Sequence, residues 1–221
     1  DMPLCVLDNI PLACKGNDYG IFGNEALVSS AQGRAYGVEL LAKWQVPDRI
    51  NASASLTLYQ SEYRNDKHSP YLPSAWDNHY ILNMSCIWSL PREWDLGAKI
   101  SVIGGAPYTP YDEEKSSFVE AWNASGRPLY NYDLYNTCRL ASYAQLDLRI
   151  DKNYFFRKWR LGWYISLQNV TGSKLKEQDA FISTGEILNQ HDPPKEQRYR
   201  MRTIKQETGS IIPSLGITVE F

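Results

Sequence analysis

The chain has 221 residues, of which 43% are hydrophobic and 22% are charged, and its formal net charge is -2. With a pI near 6.0 it offers no basic surface for nucleic acid or another polyanion. The mean hydropathy of -0.44 and the lack of any apolar run near the roughly 18 residues of a spanning helix exclude a helical membrane protein. They do not exclude membrane strands, which are polar at every second position.

The choice of aromatic residues is unusual. The chain has 15 Tyr and 7 Trp against 6 Phe, so it favours rings with an apolar body and a polar tip. Such side chains are typical of the boundary between a membrane and water. A Tyr-rich soluble β protein is the alternative interpretation of the same composition.

Four cysteines stand at positions 5, 14, 86 and 138. Cys5 and Cys14 bracket a short loop-like segment and can form a disulfide in an oxidising compartment. The sequence contains no CxxC motif and no His/Cys spacing of the kind that binds zinc, so a structural zinc site is not predicted. The first residues lack a basic region followed by an apolar segment, so we expect a signal peptide to have been removed or the chain to begin within a longer protein.

Apolar and polar residues alternate at period two about seven times along the chain, and no helical period is sustained. This pattern predicts long strands over residues 34–46, 51–64, 78–90, 94–105, 143–151, 159–170 and roughly 211–221. In the fifth run Leu146 and Leu148 alternate with Asp147 and Arg149. A row of charges is intolerable in a dry core, so one row is expected to meet water and the other a nonpolar medium.

The connections between the predicted strands alternate in length. Short turns are predicted at residues 47–49, 91–93 and 153–158, and long connections at 65–77, 106–142 and 172–210. In an up-and-down meander this order places every short turn on one rim and every long loop on the other, as in outer-membrane proteins. The last strand alternates up to Phe221 with no polar tail, which is typical of a strand that ends at a membrane interface.

No catalytic constellation is recognisable, so an enzyme is disfavoured and no cofactor or metal is predicted. His68, His79 and His191 fall in different segments, and His79 is expected to make a structural hydrogen bond with Asp77. The best binding candidate is the aromatic loop 106–142, where rings with nearby polar groups suit capture of a sugar or a siderophore. Its candidate residues are Tyr108, Tyr111, Trp122, Arg127, Tyr130, Tyr132 and Tyr135. Packing of the loop against itself is the alternative.

Five motifs in a fixed order resemble the C-terminal barrel portion of TonB-dependent outer-membrane receptors over residues 33–221. They are GRAYGVEL at 33–40, LPSAWDNHYILNMS at 72–85, GGAPYTPYD at 104–112, LQNVTG at 167–172 and IIPSLGITVEF at 211–221. The resemblance implies an all-β, antiparallel, up-and-down transmembrane barrel. The seven strands would be the last third of a 22-stranded barrel, with the plug domain absent and residues 1–32 forming an external loop or strand end.

The resemblance also implies a function. The complete protein would lie in the bacterial outer membrane and import a scarce nutrient, a siderophore or other metal chelate or an oligosaccharide, with energy from TonB. Its partners would be outer-membrane lipid, the barrel-assembly machinery, which would read Phe221, and the TonB complex, through the missing plug. Lumen- or plug-facing residues would be Gln145, Asp147, Arg149 and Asp151. A passive porin-like channel and a soluble carbohydrate-binding β-sandwich are the alternatives.

Overall fold

The computed structural model describes residues 6–7, 10–15 and 27–221. Strands dominate these ranges, and the helices are short. In chain order the elements are β1 (Val6–Leu7), β2 (Ile10–Pro11), α1 (Leu12–Lys15), β3 (Gln32–Val46), β4 (Ile50–Arg64), β5 (Leu72–Pro73), β6 (Tyr80–Leu90), β7 (Trp94–Ile103), β8 (Pro107–Tyr108), α2 (Glu113–Ser117), α3 (Val119–Ser125), a 3-10 helix (Tyr132–Leu134), β9 (Cys138–Arg139), β10 (Tyr143–Phe155), β11 (Arg160–Gln168), β12 (Leu175–Lys176), β13 (Ala180–Ile187), β14 (Tyr199–Ile204), β15 (Glu207–Thr208) and β16 (Ile212–Glu220). None of the helices in these ranges is long and apolar enough to cross a membrane.

Seven long strands form one antiparallel sheet in the order β3, β4, β6, β7, β10, β11, β16. Each long strand pairs with the next one along the chain, which is an up-and-down meander. The all-β, antiparallel expectation is therefore confirmed. The turn expected at 153–158 is shorter than predicted, because β10 continues to Phe155, which pairs with Arg160. The alternation also continues there, through Lys152 and Tyr154 on the apolar side.

The register gathers most of the apolar residues of the seven strands on one side of the sheet, here called the apolar face. Leu41, Ile81 and Ile87 are exceptions that lie on the other side. Neighbouring apolar residues lie directly opposite one another, so that rows run across the sheet from edge to edge. One such row is Trp44, Ala52, Cys86, Ala98, Leu148, Leu167 and Pro213. The other side, the polar face, carries rows such as Lys43, Ser53, Ser85, Lys99 and Asp147.

The apolar face lacks a covering layer within the described part of the chain. Leu40 is 60% exposed, Trp44 61% and Leu215 71%, although soluble proteins place such residues inside. The accessible surface is 15215 Å², against roughly 10300 Å² for a compact monomer of this mass. Leu146, Leu148, Trp163 and Val219, which a soluble sandwich would bury together, are all partly or largely exposed.

The connections are sorted by length as expected. Residues 47–49, 91–93 and 156–159 join strands at one edge of the meander, the short-turn rim. Residues 65–79, 104–142 and 169–211, called the first, second and third loops, lie at the opposite edge, the long-loop rim. Left-handed backbone at Asp48, Arg92 and Glu93 allows the tight reversals at the short-turn rim.

Aromatic side chains border the apolar face at two heights. Tyr36 and Tyr80 lie toward the long-loop rim. A second set lies toward the short-turn rim: Trp44, Trp88, Trp94, Tyr154 and Trp163. Between the two bands the face is made only of aliphatic residues, alanine, methionine and cysteine.

Charged side chains stand on the side of the apolar face only at its two rims. Arg34, Glu62 and Arg64 lie beyond Tyr36 at the long-loop rim, and Lys152 lies at the short-turn rim. Lys152 is 8% exposed, and its Nζ donates to the carbonyl oxygen of Arg92 in the turn. The same ammonium lies 5.3 Å from the ring centroid of Trp94 and 4.9 Å from that of Tyr154. The lysine stem thus follows the apolar face while its charge reaches the polar rim.

Candidate functional site

The second loop is built of short ordered elements rather than an irregular chain. Its base is the β8–β9 pair, in which Pro107 lies opposite Arg139. The Asp112 side chain caps α2 by accepting from the backbone N–H of Lys115 at 2.9 Å. The Lys115 ammonium, 2.8 Å from the same carboxylate, lowers the pKa of Asp112 together with that bond. α3 ends at Ser125 and is followed by Gly126, whose positive φ of 63° suits a helix C-terminus.

Four of the seven candidate residues of this loop lie together as a chain of rings. Tyr111 and Tyr130 have centroids 5.1 Å apart, Tyr130 and Tyr132 6.2 Å, and Tyr132 and Tyr135 6.1 Å. Tyr135 is only 7% exposed, and its hydroxyl donates to the carbonyl oxygen of Cys14 at 3.3 Å. The innermost ring therefore anchors the loop, while Tyr132, 60% exposed, meets solvent.

The other three candidates lie apart from this chain of rings. Trp122 is in α3, and exposed Arg127 follows Gly126. Tyr108 is in β8, where burial, followed by the neighbouring Cys138 and then Asp179, raises the pKa of its phenol. Tyr108 thus lies beside Cys138 and near Asp179 of the third loop, apart from the chain of rings.

A cleft of about 350 Å³ lies between the second and third loops. Tyr108, Tyr111 and Phe181 contribute rings to its wall, and the centroids of Tyr111 and Phe181 are 6.4 Å apart. At its base the side chain of Gln178 donates to the carbonyl oxygen of Thr109 at 2.9 Å. Reasoning from sequence missed the third-loop half of this cleft, because it is about 70 residues away along the chain.

Further contacts make the two loops one continuous surface. The backbone of Phe118 pairs with that of Arg198, whose guanidinium lies 3.0 Å from the Glu114 carboxylate. The hydroxyl of Tyr199 donates to the side-chain oxygen of Asn123 at 3.1 Å. Polar and backbone contacts of this kind hold the hairpin of β13 and β14 against α2 and α3.

A buried ion pair attaches the first loop to the second. Asp77 is 0% exposed, and its carboxylate lies 2.6 Å from the guanidinium of Arg139. The same carboxylate accepts from the backbone N–H of Ser61 at 3.0 Å and lies 3.1 Å from Nε2 of His79. His79 therefore lies beside Asp77 as expected, but the hydrogen-bond contact of its Nε2 is with the Arg139 guanidinium at 2.6 Å. No motif in the sequence pointed to Arg139 as the main partner of Asp77.

The segment 10–15 packs on the same loops. The side-chain amide of Asn136 donates to the carbonyl oxygens of Cys14 at 3.0 Å and Pro73 at 2.8 Å. Ile10, Cys14 and Tyr135 form a small buried cluster, with Tyr63 and Leu72 against it. Cys14 has a free thiol; Cys5, with which it was predicted to pair, lies outside the described residues.

Burial raises the pKa of the Cys14 thiol to about 12, so at pH 8.5 it should stay protonated and react slowly with iodoacetamide. We expect Cys138 to be alkylated faster than Cys14, and urea to remove the difference. Folding raises the pKa of Cys14, so the folded protein favours the protonated thiol. The contribution of Cys14 to the free energy of unfolding is therefore complete below the pKa of an unfolded cysteine, about 8.5, and is lost as the pH rises toward 12. Mass spectrometry of alkylated peptides measures both rates; equal rates in the folded protein contradict the burial.

Asn169 closes the base of the third loop. It is 4% exposed and has a left-handed φ of 52°. Its side-chain oxygen accepts from the backbone N–H of Ser173 at 2.9 Å, and its side-chain nitrogen donates to the carbonyl oxygens of Ser173 at 2.8 Å and Ser210 at 3.2 Å. One asparagine thus joins both ends of a loop of about 40 residues.

Asn169→Ala should destabilise the base of this loop by about 2 kcal/mol, because it removes buried hydrogen bonds. Alanine also lacks the polar side chain whose local hydrogen bonds let asparagine adopt left-handed backbone. Asn169→Gly keeps the conformation and should recover part of the loss. Amide hydrogen exchange at Ser173 gives the measurement. Equal exchange in the wild type and Asn169→Ala contradicts this role.

The predicted lumen-facing residues share the polar face. Gln145 donates to the Asp147 carboxylate at 2.7 Å, and the Arg149 guanidinium binds both oxygens of Asp151 at 2.8 and 2.6 Å. Arg149 also lies 4.0 Å from the ring centroid of Tyr164. Together with neighbouring strands, Arg149 and Asp151 line a polar hollow of about 780 Å³ toward the short-turn rim.

In the described part of the chain no three or more His, Cys, Asp or Glu side chains are grouped so that they could hold a metal ion. Comparison with protein-family models, with curated proteins and with solved structures finds no match to the chain. Its function is therefore inferred from the sheet, the loops and the sequence motifs.

Proposed function

We propose that this chain is the C-terminal barrel portion of a TonB-dependent receptor of the bacterial outer membrane, which imports a scarce nutrient. The observation that carries the proposal is the seven-stranded meander. Its apolar face is exposed from edge to edge, and aromatic residues border that face toward the long-loop rim and toward the short-turn rim. Hydrocarbon is the medium that stabilises such a face without a second protein layer. Water would leave this entire surface unfavourably hydrated.

The height of the apolar face fits a membrane. Eight residues separate Tyr36 from Trp44 in β3, and the same number separates Tyr80 from Trp88 in β6. At about 3.4 Å per residue the bands are about 27 Å apart along the strand. A tilt of about 40° reduces this to roughly 21 Å of depth, close to the roughly 25 Å apolar band of outer-membrane barrels. Lys152 then lies at the headgroup level, where lysine is stable.

The polar face supports a filled lumen. Gln145, Asp147, Arg149 and Asp151 line the inside of the proposed barrel, where a plug domain would pack on them. Edge strands β3 and β16 each pair with only one long strand among the described residues. Lipid penalises unpaired backbone groups by several kcal/mol each, so further strands of a 22-stranded barrel would pair with both edges.

The proposed orientation places the short-turn rim in the periplasm and the long-loop rim outside the cell. The joined second and third loops then form part of the external mouth, where a siderophore, another metal chelate or an oligosaccharide would first bind. Energy for import would come from the TonB complex through the plug, and the barrel-assembly machinery would insert the protein in outer-membrane lipid.

Deletion of the gene, followed by growth on defined iron and glycan sources, tests this function. We expect growth to fail on one scarce nutrient class, and uptake of that nutrient to stop when TonB is deleted or a protonophore is added. Uptake that persists in both conditions indicates a passive porin-like channel. A protein that stays monodisperse in buffer without detergent contradicts the membrane assignment and favours a soluble sandwich.

A further inference from the structure

We propose that the cleft between the second and third loops binds a neutral saccharide, so that an oligosaccharide rather than an anionic iron chelate is the cargo. This inference rests on the proposed function, because it assigns a ligand to the external mouth of the same transporter. It is carried by three properties of the cleft, namely its rings, its free polar groups and its charge.

The rings supply an apolar wall for a flat ligand. Tyr108 and Tyr111 line the cleft, and Phe181, which is 9% exposed, backs Tyr111 within 23° of parallel. A pyranose ring has an apolar C–H side that packs against aromatic rings, while its hydroxyls stay at the edge. The volume of about 350 Å³ lies within the roughly 300–1000 Å³ of small-molecule sites.

Around these rings stand polar groups that are not used by the protein itself. The carboxylates of Glu113, Glu177 and Asp179 line the cleft, and none of them forms an ion pair with a basic side chain of the described residues. Carboxylates accept short, strong hydrogen bonds from hydroxyl groups. The phenol of Tyr108 also lies at the cleft, where it shares a hydrogen bond with the side chain of Cys138.

The charge of the cleft selects against the other proposed cargo. Arg139 lies at the cleft, but its guanidinium is neutralised by the buried carboxylate of Asp77 at 2.6 Å. Lys176 then faces three carboxylates, so the cleft is net negative and repels an anionic ferric chelate. The carboxylates do not converge on a point where they could hold a metal ion. Carboxylates that are spread around aromatic rings can instead accept hydrogen bonds from the separate hydroxyl groups of a saccharide.

The test uses the full-length protein, purified in detergent, on an array of neutral glucans, xylans, mannans and galactans. We expect at least one saccharide class to bind. Calorimetry with the best soluble trisaccharide should then show binding about tenfold weaker in Tyr111→Ala, since one ring contact is lost. Asp179→Asn should weaken it about fivefold through one charge-assisted bond. Because Asp179 is exposed, that variant keeps its fold even if Tyr111→Ala does not.

Trp76→Ala and Glu120→Gln are the matched controls, because both residues are exposed and neither lines the cleft. They should bind as the wild type does. The inference is overturned if no array saccharide binds, if Tyr111→Ala and Asp179→Asn both bind as well as the controls, or if ferric citrate or spermidine binds in place of a saccharide. Energised uptake is scored separately, so saccharide binding without uptake refutes transport while the cleft assignment stands.

Discussion

Lysine in place of Ala54 should destabilise the protein in lipid vesicles by about 2–4 kcal/mol, the cost of a cation at the middle of a membrane. Ala54 lies on the apolar face, opposite Ala42 and Met84. Four residues separate it from Ile50, which faces Trp88, and four from Leu58, which faces Tyr80. It is therefore midway between the two aromatic bands. An open apolar hollow of about 270 Å³ beside it has room for the longer side chain.

Ser55→Lys is the matched control, because Ser55 is the next residue of β4 and points to the polar face. There the ammonium meets water or polar groups, and the free energy of unfolding should change by less than about 0.5 kcal/mol. Urea unfolding of the full-length protein in vesicles, extrapolated linearly to zero denaturant, measures both values. If the two faces of β4 met the same solvent, the two lysines would cost the same.

Arg139→Ala should cost about 3–5 kcal/mol, since it leaves the carboxylate of Asp77 buried without its cation. The guanidinium contacts Asp77 at 2.6 Å and also donates to the carbonyl oxygen of Gly105 at 3.1 Å. Its loss should separate the first and second loops and expose both to protease. Denaturant unfolding gives the free energy, and limited proteolysis followed by mass spectrometry locates the cleavage.

Two controls isolate the buried ion pair. Arg160→Ala removes the exposed pair of Arg160 and Glu220, whose charged atoms are 3.3 Å apart, together with a hydrogen bond to the side-chain oxygen of Asn153 at 3.0 Å. It should cost only about 1 kcal/mol, because no buried charge is left without a partner. Asp77→Ala combined with Arg139→Ala should cost less than the two single losses added together, because no unpaired charge remains. An additive double variant, or equal effects of Arg139→Ala and Arg160→Ala, contradicts the role of this pair.

The sheet was predictable because period-two alternation is a local property of a strand. In β6 the sequence alone assigns Leu82 and Met84 to one side and Asn83 and Ser85 to the other, and the pairing with β4 and β7 keeps that assignment. Tight turns at residues 47–49 and 91–93 then fix the antiparallel order. Whether lipid or water covers each face depends on the surroundings of the sheet, so the lipid-facing side is proposed rather than predicted from the alternation.

The candidate site was predictable only in part, because loop structure depends on contacts that are distant in sequence. The tyrosines of the second loop were found from composition, but Phe181 and Gln178 reach them from the third loop. The four short strands β12 to β15 have no alternation long enough to predict them. A signal for α2 was present and missed: Asp112 precedes Glu113 and Glu114, a pattern typical of a helix start.

The most direct test of the two-faced sheet is spin labelling along β6 in vesicles, one position at a time, on a cysteine-free background. Oxygen concentrates in hydrocarbon, whereas a water-soluble nickel complex stays in water, so their collision rates report the medium at each position. We expect labels at 82, 84 and 86 to collide mainly with oxygen and labels at 83 and 85 to respond mainly to nickel, relative to their neighbours. Collision with the nickel complex at every position would contradict a lipid-facing apolar row.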